Sequence, residues 1–339
     1  MKKCSIGGQA VMEGVMMKSP EGIAIAVRKP DGSIEKQFKP VKSKAQKGTF
    51  YGLPIVRGVV AFIESLTIGV NTMMESARLA GETEEEPGKF EKFLAEKLGK
   101  SVDTIIIGIA ATLAVVLSVG LFFVLPTLVS SIALRDASIA SVWKSILEGF
   151  VRLAIFIGYL MATSLIKDVR RVFMYHGAEH KVIACYEAEE ELTPQNAMKH
   201  PRLHPRCGTN YLFLVMAVSI AFFAVVGWNA NFFIRLGMRL LFLPVVAGLS
   251  YEVLKLAAKS DGLIARIVRA PGLALQRITT KEPTEDMIEV ALAAFELATN
   301  PEGNRADAGA QERKEPAASA DASVDPAAIG SAAVIQTGA

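Results

Sequence analysis

The stretch TIIIGIAATLAVVLSVGLFFVLPTLVSS, residues 104–131, decides the fold class, because it is apolar throughout and no charge follows it until Arg135. About 20 apolar residues cross the hydrocarbon core of a bilayer, so the stretch predicts a transmembrane helix over 104–134. The composition agrees: hydrophobic residues make up 51% of the 339-residue chain, and the mean hydropathy is +0.34. A soluble domain of this length needs less apolar material. Three further spans are expected, at 146–166 with Glu148 and Arg152, at 211–228, and at 232–251 with Arg235 and Arg239. Asn229, Ala230 and Asn231 join the last two into a tight hairpin.

Orientation follows from lysine and arginine, which collect on the cytoplasmic side. Seven of them (Lys167, Arg170, Arg171, Lys181, Lys199, Arg202 and Arg206) lie between the second and third spans. The first connection holds only Arg135 and Lys144, and the third holds none. The expectation is a multi-pass protein of the inner membrane with four spans, both termini in the cytoplasm, and the segment 167–209 there as well.

Outside the spans the pattern changes. Residues 1–54 are expected to form a small glycine-rich β-unit. Within it, IAIAVRKPDGSIEKQF (23–38) alternates and turns at Pro30-Asp31-Gly32, which is the mark of a hairpin. In 55–100, a helix over 55–81 carries Arg57, Glu64, Asn71 and Arg78 at intervals of seven, one polar line on an apolar rod. Such a helix lies at the membrane surface or packs against the bundle; as a fifth span it would invert the topology. The membrane domain is placed at 101–260. Residues 261–299 follow as an interfacial segment with spaced arginines and then a short helix, for which Thr284 is a plausible N-cap. From 300 to 339 alanine, glycine, proline and acid without periodicity predict a disordered tail.

Several function classes fall away. A net charge of +3 without a basic cluster interleaved with aromatics gives no nucleic-acid surface. Three widely spaced cysteines, Cys4, Cys185 and Cys207, do not make a disulfide framework and point to a reducing compartment or a metal role. The N-terminus has no uninterrupted apolar core of a signal peptide. Ion transport is poorly served, since the first and third spans hold no acid and the intramembrane charges are mostly arginine.

The chemistry concentrates elsewhere. All four histidines lie between residues 176 and 204. His176, Glu179 and His180 form H-x-x-E-H, and residues four apart share one helix face, so two imidazoles can reach one ion while the glutamate takes a proton from bound water. A metal makes that proton removable by bringing the water's pKa near 7. His200 and His204 each precede a proline, which pushes them toward extended geometry and makes 200–208 a stiffened loop. That loop offers His200, His204 and Cys207 as further ligands of a divalent metal, zinc by ligand type. Glu252 is a further candidate; Cys185 reads as a small buried residue. Glu13, in the apolar run GGQAVMEGVMM, is either a ligand or substrate contact or a solvated edge residue. Glu148 and Arg152, four apart, can pair, and Arg239 needs a partner such as Glu148 or Glu64.

The strings GGQAVMEGVMMKSP (7–20), YHGAEHK (175–181), HPRLHPRCGTN (200–210) and TTKEP (279–283) resemble the YqhQ-like family of uncharacterised bacterial membrane proteins, and the resemblance runs from about 5 to 298. It implies a multi-span inner-membrane protein with a suspected metal-dependent activity and no established substrate. The expectation is therefore a mainly α, polytopic membrane protein with a membrane-bound zinc-type hydrolase site. In it His176, His180, His200, His204 and Cys207 are metal ligands and Glu179 is the general base. The partners are the bilayer and an unknown membrane-associated substrate or protein. The alternative is a non-enzymatic scaffold or assembly factor with a structural metal.

Overall fold

The structure is a computed structural model that describes residues 6–41, 49–81, 102–135, 138–205, 207–258 and 262–300; the predicted tail and most of the linker after residue 81 lie outside them. The chain is mainly helical, with one small antiparallel sheet. Strands β1 (Gly7–Val11), β2 (Gly14–Lys18), β3 (Gly22–Arg28) and β4 (Ile34–Pro40) form a meander in sequence order. The hairpin register pairs Ala26 with Lys36 and Arg28 with Ile34, around a turn at Pro30–Ser33 where Asp31 accepts from the Ser33 amide at 2.9 Å.

The side-chain period of two assigns the sheet's faces. In β3, Ala24 and Ala26 point to one side, and Ile23, Ile25 and Val27 to the other. The second side packs on α1 (Val56–Leu79) through Ile68, Met73 and Leu79. The alanine side is shallow enough to receive α11 (Glu285–Thr299). Helix α11 is apolar nearly all round: Met287, Ile288, Val290, Ala291, Ala294, Phe295 and Leu297 are buried. A helix of that composition needs cover on every face. The sheet supplies one side, and α5 (Lys167–Glu187) and α6 (Pro194–Lys199) the others, with Tyr175, Val182 and Cys185 in the same core. Each fully buried Ile, Phe or Met contributes about 1.5–3 kcal/mol. Residues near 10, 180 and 290 thus share one core, although the membrane helices separate them in sequence. On the exposed edge, β4 carries Glu35, Lys36 and Lys39, charges that discourage edge-to-edge pairing.

The apolar helices follow. Helix α2 (Val102–Val119) runs through a π-helical turn, Gly120–Val124, into α3 (Leu125–Ala133). Pro126 lacks an amide hydrogen, and the local widening of the helix sits just before it. Then come α4 (Ser141–Thr163), α7 (Thr209–Val226), α8 (Phe232–Leu241), α9 (Leu243–Ala258) and α10 (Leu263–Thr279). Leu113, Val116, Leu117, Phe150 and Phe233 are exposed on the outside of these helices, as a lipid-facing surface requires.

Among the described residues, four helices are long and apolar enough to cross a membrane: Val56–Leu79, Gly108–Ala133, Ser141–Thr163 and Thr209–Val226. Two findings differ from the sequence reading. The expected fourth span at 232–251 is not one straight helix; α8 and α9 meet at 45° around Phe242. Pro244, two residues on, cannot donate into the preceding turn, which accounts for the break. Helix α1, read as interfacial or bundle-packed, meets the length and hydropathy of a span.

Candidate functional site

Helix α5 carries the H-x-x-E-H segment within its body and not at an end. Gly177 weakens helix propensity, yet here it is required: a Cβ at this position would lie 2.1 Å from the Lys281 carbonyl oxygen. The chain leaving α10 is thereby laid directly on α5, and the Lys281 amide donates to the Phe173 carbonyl at 2.8 Å.

That contact sets the first histidine. The His176 Nδ1 lies 2.8 Å from the Thr279 carbonyl at the end of α10. A carbonyl only accepts, so Nδ1 carries the proton and donates, leaving the Nε2 lone pair free to face Cys207 Sγ at 3.2 Å. The second histidine repeats the device. His180 Nδ1 donates to the Arg202 carbonyl at 2.5 Å, and its buried Nε2 has no hydrogen-bond partner among the described residues. The imidazole centroids are 4.5 Å apart. Orienting a ring through its far nitrogen is how metal-binding histidines are held.

Cys207 stands two residues before the first residue of α7, with the Thr209 amide directed at its sulfur at 3.4 Å. A helix N-terminus, where amides converge, suits a negatively charged group. His176, His180 and Cys207 each offer one ligand atom, and these atoms lie within 4.8 Å of one another. Nitrogen and sulfur ligands of a tetrahedral zinc, at about 2.1 and 2.3 Å from the ion, sit about 3.5 Å apart. The set fits a single divalent cation with small adjustments of side chains.

Glu179, next to His180 in the chain, is 4% exposed and close enough to His176 to interact with it electrostatically. β1 closes over it: a Cβ on Gly8 would lie 2.7 Å from the Glu179 carboxyl carbon, and the Gly8 amide donates to the carboxylate. Its Oε2 has no partner among the described residues. Burial raises the carboxyl from 4.5 to about 6, only partly opposed by His176 and the Gly8 amide. The raised value means that the folded state prefers the protonated form. In the metal-free protein this contribution is fully present below about pH 4.5 and is lost as the pH climbs through about 6. The difference is about 2 kcal/mol. Chelator-treated wild type should therefore lose about that much stability relative to Glu179→Gln between pH 4.5 and neutrality. Parallel pH profiles for the two proteins would contradict the assignment.

The other predicted ligands are placed differently. His204 has its ring 5.7 Å from that of His180, but its Nε2 meets Glu187 Oε2 at 3.2 Å. Its backbone is held at both ends by Gln276, which accepts from the His204 amide and donates to the His204 carbonyl, each at 2.8 Å. His200 belongs to a second grouping with Cys185 and Glu190. Glu252 forms an ion pair with Arg57, and Glu13 one with Arg171. Lys181, which sequence reasoning passes over, is buried and ties down the loop: its Nζ donates to the carbonyls of Met198 at 2.9 Å and His200 at 2.8 Å and pairs with Glu282 at 2.6 Å. The carbonyls of Thr279 and Arg202 have no sequence signal of their own.

Comparison with known proteins places the chain among relatives without an assigned activity. The family profile described as "Protein of unknown function (DUF1385)" matches residues 53–300. The Uncharacterized protein YqhQ of Bacillus subtilis (strain 168) is 32% identical over 297 residues, covering 85% of this chain and 90% of that protein. No solved structure matches.

Proposed function

We propose that this chain, which belongs to the YqhQ-like family of proteins of unknown function, is a membrane-bound metal-dependent hydrolase whose site lies at the cytoplasmic membrane face. The observation that carries the reading is the pair of imidazoles, each held at Nδ1 by a backbone carbonyl, that with the Cys207 sulfur bring one ligand atom apiece within 4.8 Å of one another, on the helix that carries the buried Glu179 carboxylate. His176, His180 and Cys207 would hold the cation, zinc by ligand type, and such an ion would supply a water acidic enough to lose a proton near neutral pH. Glu179 is the proton acceptor: desolvation brings its carboxyl close to the range where it can both take and return a proton. The Gly8 amide fixes one side of that carboxylate, and β1 above it keeps water away.

Connectivity supports a membrane placement. The sheet, α5 and α11 share one core, so the chain must come back to the same side between them. The continuous α2–α3 helix with α4 makes one excursion and return; α7 with the bent α8–α9 pair makes the second. This arrangement supports four crossings and leaves α1 along the boundary, with Arg57 beside Glu252 and Met73 and Leu79 under the sheet. The excess of lysine and arginine on 167–209 supports a cytoplasmic position for that side and for both termini. Cys207 then sits at the mouth of a spanning helix, which suits an amide or ester of a membrane-associated molecule as substrate.

A second reading has an observation of its own. The same residues join α5, the 200–208 loop and the end of α10, so a metal there would also brace the core against the membrane helices. Glu179→Gln separates the two. The hydrolase reading expects a variant that keeps its metal while an amide- or ester-bearing species accumulates in membrane extracts of cells that depend on it. Extracts that match those of the wild type would favour the structural brace.

A further inference from the structure

At the opposite end of the membrane helices, one carboxylate serves three guanidinium groups. Glu148 is fully buried, and Arg152, Arg235 and Arg239 are 5%, 3% and 3% exposed. Arg239 Nε and Arg152 Nη2 reach Glu148 Oε1 at 3.1 and 3.4 Å, and Arg235 Nε lies 3.2 Å from Oε2. Among the described residues this leaves an excess of two positive charges in the cluster. Arg152 is 11 residues into α4, roughly 16 Å along the axis, and Arg239 seven residues into α8, roughly 10 Å. Ring faces soften the burden, with Arg235 over Trp228 and Arg239 over Phe223, both at 3.9 Å, but aromatic quadrupoles cancel no charge.

The two inner arginines border a cavity of about 70 Å³, lined also by Phe122, Phe123, Ser219 and Phe223. Arg239 Nη2 is buried and has no hydrogen-bond partner among the described residues. Arg152 is anchored through Nε to the Phe122 carbonyl at 2.9 Å, within the π-helical turn, which fixes its guanidinium at the cavity wall. An uncompensated buried charge is costly, and guanidinium groups pair best with oxyanions.

We infer that this cavity is an anion site, in which Arg239 and Arg152 take a phosphate group, supplied by an anionic phospholipid headgroup or by free phosphate. The inference is independent of the histidine site. The test is thermal unfolding of the full chain in nonionic detergent, with phosphatidylglycerol, phosphatidylcholine or inorganic phosphate added. Phosphatidylglycerol or phosphate should raise the wild-type midpoint where phosphatidylcholine does not. A response to phosphatidylglycerol alone identifies a lipid ligand; a response to phosphate identifies an ion that enters from water. Arg239→Met should weaken the titration about tenfold or more. Without added anion the variant should melt no lower than wild type, since it sheds one excess charge and Glu148 keeps two partners. Arg239→Lys provides a folded variant should the methionine one aggregate. Lys167→Met, an exposed cation that opens α5 just beyond the far end of α4, should respond as wild type does. No anion effect, or equal effects in wild type and Arg239→Met, would overturn the inference, as would loss of the response in Lys167→Met.

Discussion

Replacing Glu148 by alanine is expected to cost the folded protein about 3–5 kcal/mol, the largest loss from any single membrane-domain substitution considered. The reason is charge and not packing volume. Among the described residues Glu148 is the one acidic partner that Arg152, Arg235 and Arg239 share, and Thr127 Oγ1 donates to it at 3.2 Å. Without it three guanidinium groups face one another among neutral groups: the carbonyls of Phe122 and Thr127, the hydroxyls of Thr127 and Ser131, and ring faces. Glu148→Gln keeps the shape and an acceptor oxygen, so its cost should fall between wild type and alanine. The double variant Glu148→Ala, Arg239→Met should recover part of the loss, because it removes a repelling charge together with the attractive one. Unfolding midpoints in detergent give the order directly. A Glu148→Ala protein as stable as wild type would show that the cluster is hydrated and not buried.

His180→Ala is expected to lower the affinity for zinc by more than about 100-fold, since even changes in groups that merely support a ligand cost 10–100-fold. The substitution removes one of three converging ligand atoms and strips the Arg202 carbonyl of its donor. His204→Ala and His200→Ala should each change the affinity far less. His204 spends its Nε2 on Glu187, and His200 faces Cys185 and Glu190. Competition with a calibrated chelator measures all three. Equal losses in His180→Ala and His204→Ala would mean that the loop rearranges to bring His204 onto the ion.

The residues show why some of this was legible from sequence. His176 and His180 are brought together by helical periodicity alone, and Cys207 is recognisable by type and by its place before an apolar run. His204 is also a histidine and, like His200, precedes a proline, yet its partner is decided by Gln276, 72 residues away, which holds its backbone and turns the ring toward Glu187. No local pattern records that. The apolar helix at 104–131 announces itself by length, whereas the break in the last pair depends on Pro244, a single residue inside a stretch that otherwise reads as one span. The strands β2 and β3 show as short apolar runs, but their alanine face gains meaning only beside α11, a helix more than 250 positions later. Gly177 lowers the helix propensity of its segment, yet in the fold Gly177 and Gly8 are each a place where another segment presses against the site.

Cobalt substitution reads the ligand set itself, because thiolate bound to cobalt(II) absorbs in the near ultraviolet and d–d bands report the coordination geometry. One cobalt per chain is expected, with a sulfur charge-transfer band in wild type and in Cys185→Ser, and loss of that band in Cys207→Ser. A band that survives Cys207→Ser but vanishes in Cys185→Ser would move the ion to the grouping with Glu190 and His200, and the proposed site would be wrong.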